Sequence, residues 1–167
     1  FIDAPADGHD LDYVIDRVRD FSPGLIVVDT STPSIYNDTM ICEKLKSSQP
    51  EAFTLLVGTH VSALPEDSLK LSKSVDAIAI GEYDYTIRDI AGALADNKGI
   101  DSVRGICYRD NNQPIRTPAR PQIEDLDELP FVSRIYRRFL KAGNYFNPNA
   151  LYPMVTITAS RGCPYQC

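Results

Sequence analysis

Leu25-Ile26-Val27-Val28, followed at once by Asp29-Thr30-Ser31-Thr32-Pro33-Ser34, is the stretch that decides the fold. Four consecutive apolar residues without alternation read as a strand covered on both faces, the habit of parallel sheets. The loop of hydroxyls after it marks the strand's carboxyl end, and a helical stretch over Ile35–Lys46 carries the chain away until Pro50. The same unit recurs on both sides. Upstream, Leu11, Val14, Ile15, Val18 and Phe21 form one apolar face of a helix, broken by Ser22-Pro23-Gly24, with Phe1-Ile2 before it as the end of a strand. Downstream come strand Phe53–Val57, the loop Gly58-Thr59-His60, a short helix at Pro65–Leu71 and strand Val75–Ile80. Gly81-Glu82 and a helix carrying Ile87, Ile90, Ala91 and Leu94 follow. Such alternation is the sequence form of an α/β, doubly wound parallel sheet of the flavodoxin-like (Rossmann-like) kind.

After Gly99 the rhythm changes. Val103–Arg109 and Pro114–Thr117, joined by Asp110-Asn111-Asn112, read as a hairpin. Gln122–Glu128 is an acidic linker, Ser133–Ala142 a helix stopped by Gly143, and Met154–Ala159 a strand feeding Ser160-Arg161-Gly162-Cys163-Pro164-Tyr165-Gln166-Cys167.

Composition narrows the function. Of the 167 residues 43% are hydrophobic and 24% charged, ordinary globular usage that excludes disordered and fibrous classes. Seventeen Lys and Arg against 23 Asp and Glu give −6, which argues against nucleic acid or an anionic membrane as partner. Apolar runs of four or five residues span no bilayer, and no leader precedes them, so a cytoplasmic setting is expected. The four cysteines there read as thiols or metal ligands. A chain that opens on Phe1 and stops on Cys167 is expected to be an internal piece of a longer protein.

In open parallel sheets ligands bind beyond the carboxyl ends of the strands, at the switch point. Three loops at such ends are distinctive: Thr30, Ser31, Thr32 and Ser34; Gly58 and His60; Gly81 and Glu82. Small residues allow close approach to the backbone, and hydroxyls and free N–H groups supply polar contacts. A bulky side chain at Gly58 is expected to fill the resulting crevice and spare the fold. Cys163 and Cys167, four apart on a loop after a strand, can hold two corners of one metal or cluster. Cys42 and Cys107 fit small core positions, and His60 by itself reads as a hydrogen-bonded loop histidine before a ligand.

Arg161-Gly162-Cys163-Pro164-Tyr165-Gln166-Cys167 resembles the opening of the radical S-adenosylmethionine (radical SAM) signature, Cys-x3-Cys-x2-Cys. The upstream part is similar to the cobalamin-binding domain that precedes the barrel in one branch of that superfamily. Asp3-Ala4-Pro5-Ala6, Leu25–Asp29, the segment from Val57 to Glu66, Val75–Glu82 and Leu126-Asp127-Glu128-Leu129-Pro130-Phe131 stand in matching order over nearly the whole chain. The chain departs from the family's Gly-Gly-x-His at Val57-Gly58-Thr59-His60, and Tyr83-Asp84 replaces a second Gly-Glu. Asp7-Gly8-His9 imitates the cobalt-ligand spacing of methionine synthase-type domains, but it follows the second strand, so His9 is not assigned to cobalt.

The resemblance implies a cobalamin-binding domain over residues 1–99, lacking its first strand and helix. A connector over 100–153 and the start of a radical SAM domain over 154–167 follow. It implies cobalamin in the three loops, and a 4Fe–4S cluster on Cys163, Cys167 and a third cysteine beyond the chain. S-adenosyl-L-methionine on that cluster would be reduced to a deoxyadenosyl radical. A small-molecule substrate and an electron donor follow, for methyl transfer or cyclisation by the longer enzyme, with these 167 residues alone inactive. Two other classes compete. A corrinoid carrier without chemistry of its own accounts for the first hundred residues only. A receiver-like signalling domain would use Asp29 as phosphoacceptor and Thr59 as switch hydroxyl, but it needs a lysine where Gly81-Glu82 stands.

Overall fold

The structure is a computed structural model that describes residues 1–157 and 161. They divide into two compact units, Ile15–Gln122 and a second made of Phe1–Val14 with the chain from Ile123 onward.

The first unit is built on β1 (Leu25–Asp29), β2 (Phe53–Val57), β3 (Ala77–Ala79), β4 (Ile106–Asp110) and β5 (Gln113–Arg116), hydrogen-bonded side by side in that order. β1, β2 and β3 are parallel, with Val28 opposite Leu56 and Leu56 opposite Ile78. Among these strands the order never reverses, so the expected switch point is not found here, although the three loops do follow the carboxyl ends. The hairpin assigned to a connector is instead part of the sheet: β4 pairs antiparallel with β3 (Ile78 opposite Cys107), and β5 closes on β4. Its two-residue turn has Asn111 at φ 46° and Asn112 at φ 63°, the left-handed pair that matches strand twist.

Because side chains alternate along a strand, each strand feeds both faces. On one face Leu56, Ile78 and Cys107 pack with Ile35 and Cys42 of α3 (Ile35–Ser48), Val61 of α4 (Thr59–Ala63) and Leu69 of α5 (Pro65–Leu71). On the other, Leu55, Val57, Ala77, Ala79 and Ile106 pack with Ile90 of α6 (Asp84–Ala95). Helices therefore cover both faces, as expected, though β1 is less covered than its sequence suggested. Val27 remains 38% exposed, because β1 is an edge strand with a partner on β2's side only. Cys42 and Cys107 are fully buried, and burial pushes both thiols up, Cys42 to about 12, so neither is a thiolate at neutral pH.

At the amino ends of the strands one carboxylate ties three elements. Asp76 accepts from the Thr54 amide (2.7 Å) and from Lys46 Nζ (2.8 Å), which also donates to the Ala52 carbonyl. Arg120 does similar work on the other side, donating to Thr86 and Asp89 of α6 and to the Arg104 carbonyl.

α2 (Leu11–Phe21) forms over the residues its apolar periodicity marks. The second unit begins differently from expectation. Phe1 and Ile2 form no strand, and Asp3 caps α1 (Ala4–Asp7) through the Ala6 amide. Asp3 also accepts from Tyr145 Oη at 2.6 Å, and Asp7 from Asn144 and Lys141. His9 stacks on the Tyr13 ring, 3.7 Å between centroids. α7 (Val132–Phe139) is the helix expected over Ser133–Ala142, ending three residues early, and a separate 3-10 turn, Ala142–Asn144, follows Leu140 and Lys141. Of the expected strand Met154–Ala159, residues 154–157 are irregular and the last two lie outside the described residues.

Two stability outcomes follow from this packing. Leu56→Ala, at a position of 0% exposure between α3, α4 and β3, should cost about 2–5 kcal/mol in urea unfolding, whereas Val27→Thr should cost less than about 1. A chain ending at Gly99 removes β4 and leaves β3 unpaired on one side. It should lose cooperative thermal unfolding by circular dichroism, and an unchanged transition would contradict the five-stranded unit.

Candidate functional site

The carboxyl ends of β1, β2 and β3 converge through side-chain and backbone ties. The Thr30 amide donates to the Val57 carbonyl (2.9 Å), which holds the loop after β1 against the end of β2. Thr30 is buried, and a buried hydroxyl needs a partner. It donates to Asp38 Oδ2 at 2.6 Å, on the first turn of α3. Ser31 and Ser34 close a turn of their own: the Ser31 amide donates to Ser34 Oγ, and the two hydroxyls lie 2.9 Å apart on the exposed side.

Gly58 begins the second loop with φ +120°, a conformation left to glycine. A Cβ placed there would fall 2.1 Å from the Thr30 carbonyl oxygen and 3.1 Å from Asp29 Oδ1. The crevice is thus not open above Gly58. A bulky residue would push β1's loop away rather than fill a void, so the expectation that Gly58 tolerates one is corrected. His60 lies on α4, in the stretch expected as loop, and its Nδ1 is 3.1 Å from Thr32 Oγ1, joining the second loop to the first.

Ser62 joins the second to the third. Its hydroxyl donates to the Gly58 carbonyl at 2.7 Å and accepts from the Gly81 amide at 3.0 Å. Gly81, at φ +76°, has nothing within 4 Å of where a Cβ would stand, so this part of the rim faces open space. Glu82 follows, half-buried. The structure thus brings Thr30, Ser31, Thr32, Ser34, Gly58, His60, Gly81 and Glu82 onto one rim. Thr30's hydroxyl is committed inward.

Two contributors, Asp38 and Ser62, escaped the sequence. Asp38 occupies a core-facing slot of α3, between Ile35 and Cys42, and a carboxylate in an apolar stripe was the available signal. Ser62 offered only its i+4 spacing from Gly58. Asp29, a phosphoacceptor only in the rival receiver reading, lies here against Gly58. Partial desolvation and the neighbouring Asp38 carboxylate raise its pKa above the ordinary carboxylate value, against a smaller lowering from the Thr30 amide.

Among the described residues no three His, Cys, Asp or Glu side chains are grouped to hold a metal ion, and no helix is long and apolar enough to cross a membrane. Cys163 and Cys167 lie outside the described residues. A cleft of about 570 Å³ opens elsewhere, lined by Phe53, Lys73, Asp76, Ile100, Tyr108 and Arg109, at the opposite ends of β2 and β3. None of the expected site residues touches it.

No protein-family model matches the chain. The chain is 25% identical over 150 residues to an uncharacterized methyltransferase of Pyrococcus horikoshii, covering 90% of this chain and 32% of that protein. It is 26% identical over 171 residues to the anaerobic magnesium-protoporphyrin IX monomethyl ester cyclase of Rubrivivax gelatinosus, covering 100% of this chain and 30% of the cyclase. Among solved structures it superposes on the cobalamin-dependent S-adenosylmethionine radical enzyme OxsB with aqua-cobalamin bound (TM-score 0.64, 20% identity, 73% of this chain and 17% of that one). It also superposes on the radical S-adenosylmethionine methyltransferase TsrM of Kitasatospora setae with cobalamin and a [4Fe-4S] cluster bound (TM-score 0.60, 14% identity, 72% of this chain and 23% of that one). The Rossmann-like fold of this chain is therefore one that these two enzymes contain over the superposed part. The chain spans about a third of the length of the curated relatives it matches.

The Asp29 environment gives a signed outcome. A carboxyl whose folded value is raised binds its proton more tightly in the folded state, so its ionisation lowers stability as pH climbs through the window above the unfolded value of about 3.9. Asp29→Asn should raise the unfolding midpoint at pH 7, and the gain over the parent should vanish as pH falls below about 4. A gain that is constant with pH would remove the carboxyl's ionisation as its cause.

Proposed function

We propose that the rim over β1, β2 and β3 binds cobalamin, and that the chain is the cobalamin-binding part of a radical SAM enzyme. The observation that carries this is the joining of three small-residue loops into one rim by Thr32–His60 and by Ser62 between Gly58 and Gly81. The donor set supports the choice of ligand. Several backbone donors on the rim are already spent: Thr30 on Val57, Ser31 on Ser34, Gly81 on Ser62. What faces outward is hydroxyl, imidazole and the carboxylate of Asp29. That surface accepts amide N–H groups and repels polyphosphate, which suits an amide-bearing corrin better than a nucleotide triphosphate.

Thr32, Ser31, Ser34, His60, Gly81 and Glu82 would meet the ligand, with Thr30 and Gly58 setting the wall behind them. Bound cobalamin supplies alkyl-group carriage; the chain's residues supply shape, exclusion of water and polar anchoring. Cys163 and Cys167 would be ligands of a 4Fe–4S cluster that activates S-adenosyl-L-methionine, a proposal carried by their spacing and by the resemblance. The longer enzyme would act on a small molecule by methyl transfer or cyclisation, take electrons from a reducing partner and work in the cytoplasm, while these 167 residues alone would bind cofactor and turn nothing over.

Titration with hydroxocobalamin, followed in the visible spectrum, should give a dissociation constant of about micromolar order, and ATP should not compete. Ser31→Trp, on the exposed side of the rim, should weaken binding at least about tenfold without lowering the unfolding midpoint. No spectral change with hydroxocobalamin, with phosphate uptake at Asp29 from a small phosphodonor, would instead favour the receiver. In the longer protein, reconstitution should give about four irons per chain, and Cys163→Ala or Cys167→Ala should abolish them. Full iron in both variants would refute the cluster assignment.

A further inference from the structure

We propose that Ser62 is a positioning residue, which fixes the distance between the second and third loops and thereby the affinity of the rim for its ligand. The inference rests on the cobalamin reading of that rim and goes beyond it by naming the group that holds the rim in its binding shape.

A hydroxyl has one proton and two lone pairs. Ser62 spends the proton on the Gly58 carbonyl at 2.7 Å, which leaves its oxygen to receive the Gly81 amide at 3.0 Å. One atom therefore links the end of β2 to the turn after β3. The first half of the link is redundant for α4, because the Ser62 amide already donates to the same Gly58 carbonyl at 3.2 Å. The second half is different: among the described residues Ser62 Oγ is the acceptor of the Gly81 amide, and nothing lies within 4 Å of where a Gly81 Cβ would stand. Without the hydroxyl, the Gly81 amide turns to water at little cost to the fold, since the contact is exposed. The loop then samples positions that the rim in the structure does not show. A bound ligand would have to reorder it, and ordering costs are subtracted directly from affinity.

His60 makes a comparable link to Thr32, but there both partners are on exposed side chains that can rotate away. Ser62 binds backbone on both sides. That difference singles it out.

The experiment is Ser62→Ala, with Ser62→Thr as the variant that keeps the hydroxyl, each read by hydroxocobalamin titration, by unfolding midpoint and by amide hydrogen exchange at Gly81. The alanine variant should bind hydroxocobalamin at least about tenfold more weakly with an unfolding midpoint within about 2 °C of the parent, and its Gly81 amide should exchange at the rate of a free loop. The threonine variant should restore Gly81 protection and bring affinity back to within about threefold of the parent. A merely structural serine would lower the midpoint in step with the affinity. Parent protein that binds hydroxocobalamin, with an alanine variant that binds it equally, would overturn the positioning role and leave the cobalamin reading standing. Parent protein that fails to bind it removes the cobalamin reading. The exchange rate at Gly81 then still decides the link, which an unprotected amide in the parent would overturn.

Discussion

The approach of Gly58 to Thr30 is the constraint on which the carboxyl end of this sheet depends. The backbone leaves β2 at φ +120° so close to the preceding loop that a single methyl group would fall 2.1 Å from the Thr30 carbonyl oxygen. That contact exists because β1 and β2 are parallel neighbours in register, Asp29 opposite Val57, so both loops leave the sheet at one level. From there the arrangement propagates by short links. Thr30 is fixed to Val57 and to Asp38, His60 reaches Thr32, and Ser62 reaches Gly81. Three loops that would otherwise be independent connections share one geometry, and a rim with one geometry can select a ligand.

The price of that arrangement is visible in its charges. Asp29 is held against the Gly58 backbone and near Asp38, and its ionised form is disfavoured for both reasons, desolvation first. Asp38 is tolerated in the apolar stripe of α3 because Thr30 donates to it at 2.6 Å. The same carboxylate, after burial, helps keep Cys42 a thiol. Strain and unfavourable charge gathered at one end of a sheet, while the other end is tied by Asp76 to Lys46 and Thr54, fit a molecule whose working surface is the strained end.

Much of this was legible in the residues. The apolar stretches Leu25–Val28 and Phe53–Val57 read as strands, and both are, with β2 covered on both faces and β1 at the edge. Gly58, His60 and Gly81 stood out because small or polar residues after such runs mark ligand-facing loops. What could not be read was pairing across the sequence. The hairpin over β4 and β5 has the same local signature whether it stands alone or joins β3, and only the burial of Ile106 and Cys107 decides. Phe1-Ile2 reads as strand by its apolar content, yet neither residue pairs with a strand, and Asp3 and Gly8 bracket a helix just after them. Val27 looked doubly buried because an edge strand and a central one have the same composition. Ser62 was invisible for a related reason: its partners are backbone atoms 4 and 19 residues away.

The account stands or falls on where the ligand sits. Backbone amide shifts of the isotopically labelled chain, recorded as hydroxocobalamin is added, address that directly. The account predicts that perturbations concentrate at Ser31, Thr32, Ser34, His60, Ser62, Gly81 and Glu82, along the carboxyl ends of β1, β2 and β3. Perturbations confined to Phe53, Lys73, Ile100 and Tyr108, around the cleft at the opposite ends of the strands, would contradict it.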